Sequence, residues 1–593
     1  MQKVSQEWKD NQNELLTSES FVEIELTLTD PDAQEDASAE DNGAIYISNT
    51  EQVVNGVDKD IVPYATLERN MWLLDGSRRI IPLSDFGDCS YIGEELSNLV
   101  GGFTNNPVMT INFSKIHTNL ISGITITWGI AYDEYAKDFT VTAYNGDDIV
   151  ATKTVTDNNK VKSIVDMDIA NYDRITIEVL KWCQRNKRAR IAEILPGVVK
   201  TYEKKDFFSF EHSQTVDPIS ASLPKSEISF SIDNSDNAYN PNNLEGFAKY
   251  LIERQELKAK YGYKIGNKKE WLKCGTFYMS EWDAPQGGMT ADFKARDLLE
   301  YMTGTYYYGV YSTKGTSLYD LAEAVLIDAN LPPIGKGDVR WVIDESLKNI
   351  KTTSPLPIDT HANCLQLIAN ASGCVIYQDR TGILRIEPVA QTETDYAITH
   401  FNCYSKPEIS LSKPLKQVDV SCYSYNTSSD TTELYKGTMG ISGTQELLIT
   451  YSGMATGVSA NVSGGTLNSA TYYANACVLN ISGNGDVTIT ITGKSLESSS
   501  VIVSTTSGVS GETISVNNPL ITSHERAVAI GNWVESYMKN RMVISSDWRA
   551  DPRLDVLDVV DNENDYNINK VLITDVKYSY DGSFKGTCDG RVI

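Results

Sequence analysis

"SFSIDNSDNAYNPNN", residues 229–243, alternates apolar and polar residues and then runs into a crowd of Asp, Asn and Pro. A calcium loop of the EF-hand kind needs Asp first, Gly sixth and Glu twelfth. Counted from Asp233, the sixth residue is Ala238 and the twelfth Leu244; counted from Asn234, they are Tyr239 and Glu245. Neither frame supplies the glycine. The stretch therefore reads as a half-buried strand stopped by Asp, Asn and Ser side chains that bond nearby backbone, with Pro241 setting up the entry to the next helix.

The same period of two spreads in both directions. "FVEIELTLTD" near the N-terminus alternates, and "VMTINF", "GITITWG", "DFTVTAYNGDDIVATKTV" and "RITIEVLKW" do so between 43 and 198. Strands joined by short turns predict a two-sheet sandwich there. Within it "TAYNGDDIVATKT" predicts a hairpin at Asn145-Gly146, residues that accept positive φ. Residues 1–20 read as a short helix with Trp8, Leu15 and Leu16 on one face, and "DPDAQEDASAEDNGA" as an acidic loop. "NLEGFAKYLIERQELKAKYGY" reads as a helix carrying Phe247 and Leu251, then Arg254 and Leu257, switching to a strand.

Residues 316–372 read as mostly helical, with Ser317 and Thr360 as N-caps and Gly373 as a stop, followed by a hairpin around Asp379–Gly382. From 427 to 515 the composition shifts to Ser, Thr, Gly and Asn, yet "VTITITG" and "VIVST" keep the strand period, which predicts a small inserted β-sandwich. "SHERAVAIGNWVESYMKNR" is an amphipathic helix with Val528, Ile530, Trp533 and Val534 towards a core and Lys539 and Arg541 at its C-terminal end.

The chain has 593 residues, enough for four or five units. Its 52 Lys+Arg against 79 Asp+Glu leave a formal charge of −27, which repels nucleic acid and anionic membranes. The start has no signal-peptide pattern and no later run approaches the roughly 20 apolar residues of a membrane span, so a soluble chain made in the cytoplasm is expected. Nine scattered cysteines, without a Cys-x-x-Cys pair, read as mostly buried free thiols.

No nucleophile elbow, Walker loop, zincin or dinucleotide motif stands in a supporting context. The five histidines (His117, His212, His361, His400, His524) read as isolated. Asp547, Asp551, Asp555 and Asp558 could offer a carboxylate pair of the glycosidase kind. A solvated strand rim with Arg549 and Arg553 as counter-charges accounts for them better, so no catalytic, cofactor or metal site is assigned.

"SASLPKSEISFSIDNSDNAYNPNNLEGFAKYLIERQELKAKYGY", "EWLKCGTFYMSEWDAP" and "MTADFKARDLLEYM" resemble the baseplate or tail-tip proteins of tailed phages and prophages of Gram-positive bacteria. "HANCLQLIANASGCVIYQDRTGILRIEP", "ISLSKPLKQVDVSCYSYN" and "DWRADPRLDVLDVVDNENDYNINKVLITDVKYSYDGSFKGTCDGR" look like later parts of the same proteins. The likeness covers most of 200–426 and 516–593. It implies a hub whose β-domains continue the tail tube, with other tail and baseplate proteins as partners and a trimer around the channel. It places the protein in the virion at the tail tip or baseplate, with DNA passing nearby without specific binding. An acidic face towards the channel would keep DNA from sticking.

"VMTINFSKIHTNLISGITITW" and "RARIAEILPG" resemble, more weakly, a discoidin (F5/8 type C) module, a fold that commonly binds carbohydrate or lipid head groups through loops at one end. Trp72, Tyr91, Tyr132 and Tyr135 are the aromatics that could stack on a host cell-wall carbohydrate.

The expected organisation is multidomain and mainly β with α+β parts. Residues 1–42 give the N-terminal helix and first strand of the hub body, 43–198 the discoidin-like sandwich, and 199–310 a hub β-domain with a helix. Residues 311–426 give an α+β hub domain, 427–515 the inserted β-domain, and 516–593 the C-terminal helix and strands completing the body. The expected function is structural and non-enzymatic. The alternatives are a carbohydrate-binding adhesin acting through the discoidin-like module, and a cell-wall hydrolase, against which the absence of a C-terminal extension speaks.

Overall fold

The computed structural model describes residues 1–593 except 15, 56–62, 81–88, 244–247, 249–250, 252–253, 267, 286, 333–338 and 391–392. The protein is mainly β, and its strands form several sheets. The helix expected over Phe247 and its neighbours lies mostly outside the described residues, as does Leu15.

The largest sheet has 13 strands. Its path runs Gly197–Tyr202, Ser20–Thr29, Glu256–Ile265, Lys268–Asp283, Thr290–Arg296, Lys225–Asp233, Phe207–Thr215, Ile568–Tyr580, Phe584–Val592, Met542–Trp548, Glu408–Leu411. Val559–Glu563 pairs Ile568–Tyr580 to one side and, in parallel, Glu393–Ile398 to the other. The early and late halves meet where Phe210–Thr215 lies antiparallel to Asp575–Tyr580. Alternate residues point inward, as the pleat requires: Leu257, Ala259, Tyr261 and Tyr263 on one strand are all buried. Tyr261 meets the rings of Tyr578 and Phe584 at 5.6 and 5.3 Å, five and six strands away along the path, so the sheet rolls around one aromatic core.

Local signals explain much of this body. In the stretch 229–243, Asp233 accepts from the backbone N–H of Ser235, Asn234 from that of Tyr239, Asp236 from that of Ala238, and Asn240 from that of Asn242. The polar crowd is a series of such turns ending the strand Lys225–Asp233. The N-terminal helix is Gln6–Asn13; Trp8 is buried edge-on to Tyr263 at 4.9 Å. Leu16 lies beyond the helix end and is exposed, so it shares no face with Trp8.

A second core packs the helices Leu318–Asp328, His361–Ser372 and His524–Met538 with the small sheet of Trp341–Ile343, Val375–Gln378 and Leu384–Glu387. Ser317 and Thr360 accept from the N–H groups of Asp320 and Asn363, and Gly373 takes φ 68° at the helix end, as read from the sequence. In His524–Met538 the buried residues include Ala527, Ile530 and Val534, whereas Val528 faces outward.

The sandwich sets a five-stranded sheet (Ser38–Asp41, Val108–His117, Tyr172–Trp182, Ala136–Asn145, Asp148–Val155) over a three-stranded one (Glu193–Leu195, Ile121–Thr127, Lys162–Ile169). Trp128, wedged between Phe139 and Trp182, anchors its core. The acidic stretch is not a loop throughout but holds the helix Pro31–Asp36 and the strand Ser38–Asp41. Asp30 caps the helix, Pro31 begins it, and Ala33 and Ala37 reach the sandwich core. The sandwich thus starts before residue 43, and Gly197–Tyr202 already belongs to the body sheet. The hairpin 136–155 turns on Gly146 (φ 60°) and Asp147, while Asn145 stays in the strand, so only one residue needs a positive φ.

The 427–515 region grows from a long ribbon, Leu415–Thr450 against Ala476–Thr506, with Ala455–Tyr472 on the far side. Thr450 lies opposite Ala476, yet Ala455 lies opposite Ser495. The intervening residues reach about 18 Å at most, while a flat sheet would separate those levels by about 60 Å. The sheet therefore folds back on itself, and Ser452 N–H donates to Leu434 O. The fold line runs through Gly443 (φ 74°), Gly464 (φ 87°) and Gly485 (φ 139°). Leu434, Ile441, Leu479, Ile481, Ile489 and Ile491 are enclosed between the layers. Its tip is strapped down: Asn475 donates to Leu356 O at 2.7 Å, Ala474 N–H to Gly309 O at 2.8 Å, and Tyr473 packs on Tyr308.

Candidate functional site

Tyr172 faces His117 at one end of the sandwich, and the strand then runs ten residues, roughly 33 Å, to Trp182. The loops around Trp182 form the far end of the sandwich. Four segments meet there: 64–80, 96–102, 129–137 and 181–190.

Arg190 is fully buried and joins 64–80 and 129–137 to 181–190. Its Nη2 donates to Glu68 Oε1 at 2.5 Å and its Nη1 to Glu134 Oε2 at 3.2 Å, while its guanidinium lies 4.4 Å from the Tyr132 ring centroid. Glu134 also receives Lys187 Nζ at 3.2 Å and the Trp182 indole N–H at 3.2 Å. Glu68 takes the Thr66 hydroxyl and the Arg188 N–H. Burial pushes the Glu68 carboxyl up, but the Arg190 guanidinium outweighs it, so Glu68 stays ionised well into acid. The motif "KRAR" thus supplies Lys187, Arg188 and Arg190 to two buried carboxylates, a role that no spacing rule picks out.

Outside this network lies a groove of about 660 Å³ whose lining includes Arg69, Lys137, Lys181, Arg185 and Lys187. Lys137 pairs with Asp157 and Lys181 with Asp138, both on the surface. Arg69 and Arg185 are exposed and have no ion-pair partner among the described residues. Leu99 and Val100, also lining the groove, are 76% and 74% exposed.

The four aromatics fare differently. Trp72 is 56% exposed and presents a free ring near this end. Tyr132 is half-buried between Arg78 and Arg190. Tyr135 is half-buried against the sandwich core. Tyr91 is 1% exposed with its hydroxyl donating to Gly43 O, so it cannot stack on a sugar.

Of the carboxylates of 547–558, Asp547 is exposed as expected, but Asp551, Asp555 and Asp558 are not a solvated rim. Asp551 is completely buried and held by Arg553 at 2.5 Å. Asp555 accepts from Arg380 Nε at 2.6 Å, and the terminal nitrogens of Arg380 donate to the carbonyls of Lys273, Pro552 and Leu554. Arg549 instead donates to Gln12 O. Three histidines have carboxylates that sequence spacing hid: His117 on Asp36 (2.9 Å), His361 on Asp328 (2.8 Å) and His400 near Asp565 (3.8 Å). His212 is enclosed beside Tyr261 and Cys274; burial first, then Arg380, lower its pKa to about 3. Six of the nine cysteines are buried.

No family model matches the chain, and no curated protein matches it. Among solved structures it is similar to phage tail proteins. One is the 43 kDa tail protein of prophage MuSo2 from Shewanella oneidensis (10% identity, TM-score 0.38, covering 66% of this chain and 95% of that one). Another is the prophage tail protein gp18 from Listeria monocytogenes EGD-e (10% identity, TM-score 0.36, 66% and 91%). The chain is also similar to the lectin domain of lectinolysin, solved with Lewis B antigen (13% identity, TM-score 0.18, covering 28% of this chain and 94% of that one).

Proposed function

We propose that this chain is a structural component of a phage tail tip or baseplate, a hub that continues the tail tube and carries attachment modules. The observation that carries it is the assembly of the body. The segments resembling tail-tip proteins, separated along the chain, come together in one rolled sheet and its helical neighbour, from which the sandwich and the folded ribbon depart as insertions. Its work is packing and assembly. The enclosed ion pairs Arg380–Asp555 and Arg553–Asp551 are spent on holding backbone, not on a reacting group. Trimerisation around a channel, an acidic channel face that repels passing DNA, and contact of the sandwich with host-wall carbohydrate belong to the same reading.

Immunogold electron microscopy of tail particles with antibody against the chain tests it. Label at the tip is the expected result, and unlabelled particles with free protein in the lysate would replace the hub with a free adhesin. Light scattering of the purified protein reads the oligomer number, with three the expected value.

A further inference from the structure

We propose that the groove at the far end of the sandwich is a binding site for an anionic glycan, a polymer bearing repeated phosphate or carboxylate groups. It deepens the reading of the sandwich as the attachment module but stands or falls separately from the tail-tip assignment.

The chain as a whole carries −27, so a concentration of positive charge in one concavity runs against its average. Arg69, Lys137, Lys181, Arg185 and Lys187 line the groove. The carboxylates paired with them, Asp157, Asp138 and Glu134, leave Arg69 and Arg185 uncompensated among the described residues. An opening of about 660 Å³ is far larger than one ion needs and suits a stretch of polymer with several charges. The buried Arg190–Glu68–Glu134 triad fixes the loops that hold these cations, so the charges are held in place before a ligand arrives. Arginine forks favour planar or tetrahedral oxyanions.

Single-stranded nucleic acid is the poorer fit, because it is bound by aromatic platforms along a basic track, and the aromatic residue of this lining, Trp182, is buried. A bilayer would use the exposed Leu99 and Val100 as its anchor, whereas a glycan would use them only to contact ring faces.

The test is binding of the purified full chain to immobilised polymers: a phosphodiester-linked polyol, polygalacturonate, neutral dextran, single-stranded DNA, and vesicles containing anionic lipid. The expected result is retention on one or both anionic glycans and not on dextran, falling between about 50 and 200 mM salt. Which of the two retains it distinguishes phosphate from carboxylate. Arg69→Glu with Arg185→Glu, both on exposed side chains, should weaken that binding by about tenfold or more, with circular dichroism and melting unchanged. Equal retention on dextran, or binding indifferent to the double substitution, would overturn the proposal. So would binding to DNA alone, or vesicle binding lost in Leu99→Ser with Val100→Ser but kept in the charge variant. Any of these failures leaves tip labelling untouched, and loss of tip labelling leaves the binding result standing.

Discussion

Two arginines without solvent access behave differently in this molecule. Arg380, in the body, meets an acceptor with every nitrogen: Asp555 and three backbone carbonyls. Arg190, in the sandwich, bridges Glu68 and Glu134 and the carbonyl of Arg188, and among the described residues its Nε has no partner. The first closes a joint between the hairpin 375–387 and the segment 551–558. The second ties together loops whose outer faces remain open and positively charged. The same side chain is a staple where its surroundings are sealed and a scaffold where they open onto a groove.

The largest effect should come from breaking the sealed site. Arg380→Met strands Asp555 and three carbonyls, and should cost about 3–5 kcal/mol, read as a lowered urea midpoint for the body. Arg190→Met should cost less, about 2–3 kcal/mol, because Lys187 and Arg188 still neutralise the two carboxylates. Hydrogen exchange should then rise in 64–80 and 129–137 while the body strands keep their protection. If both variants loosened the same segments, the contrast between staple and scaffold would fail.

The pH dependence sharpens the comparison, since the body encloses His212 away from water. His212 is held near 3, while in the unfolded chain a histidine takes its proton below about 6.5. Between those values the unfolded state binds more protons, so stability is complete above about 6.5 and is lost as pH falls, by up to about 1.4 kcal/mol per unit. His212→Gln should flatten that slope in melts between pH 7 and 4.5. Asp36 in the sandwich, lowered to about 2 despite burial by bonds from Ser114 and His117, weakens only below about 4. The smallest effect expected is Asn475→Ala, about 1 kcal/mol, seen as faster proteolysis at the ribbon tip with the body unchanged.

Much of the framework was legible because it rests on local chemistry. Ser317, Thr360 and Gly373 sit where capping requires them, and the Asp and Asn side chains of 233–240 end a strand as short polar side chains do. What escaped was set at a distance. Helix Pro31–Asp36 rests on two alanines reaching a core built from residues 109–194, which an acidic composition concealed. Asp551 and Arg553 look like a surface rim until Arg380 and Tyr578 close over them. Of the aromatics proposed for sugar, Tyr91 is turned inward in a strand whose first three residues are all buried, which no period of two announces. The cationic groove was invisible because Arg69, Lys137 and Arg185 are far apart in the chain and each is ordinary in its own neighbourhood.

The pairing of Phe207–Thr215 with Ile568–Tyr580 also sets a schedule. At the roughly 5–20 residues per second of synthesis, the earlier strand emerges some 20–70 s before its neighbour exists. The sandwich, whose strands lie within residues 38–195, has everything it needs by then. The body must wait with an open edge, and a chaperone that shields strands 207–215 and 225–233 in that interval would raise the yield of folded chain more than one acting on the sandwich.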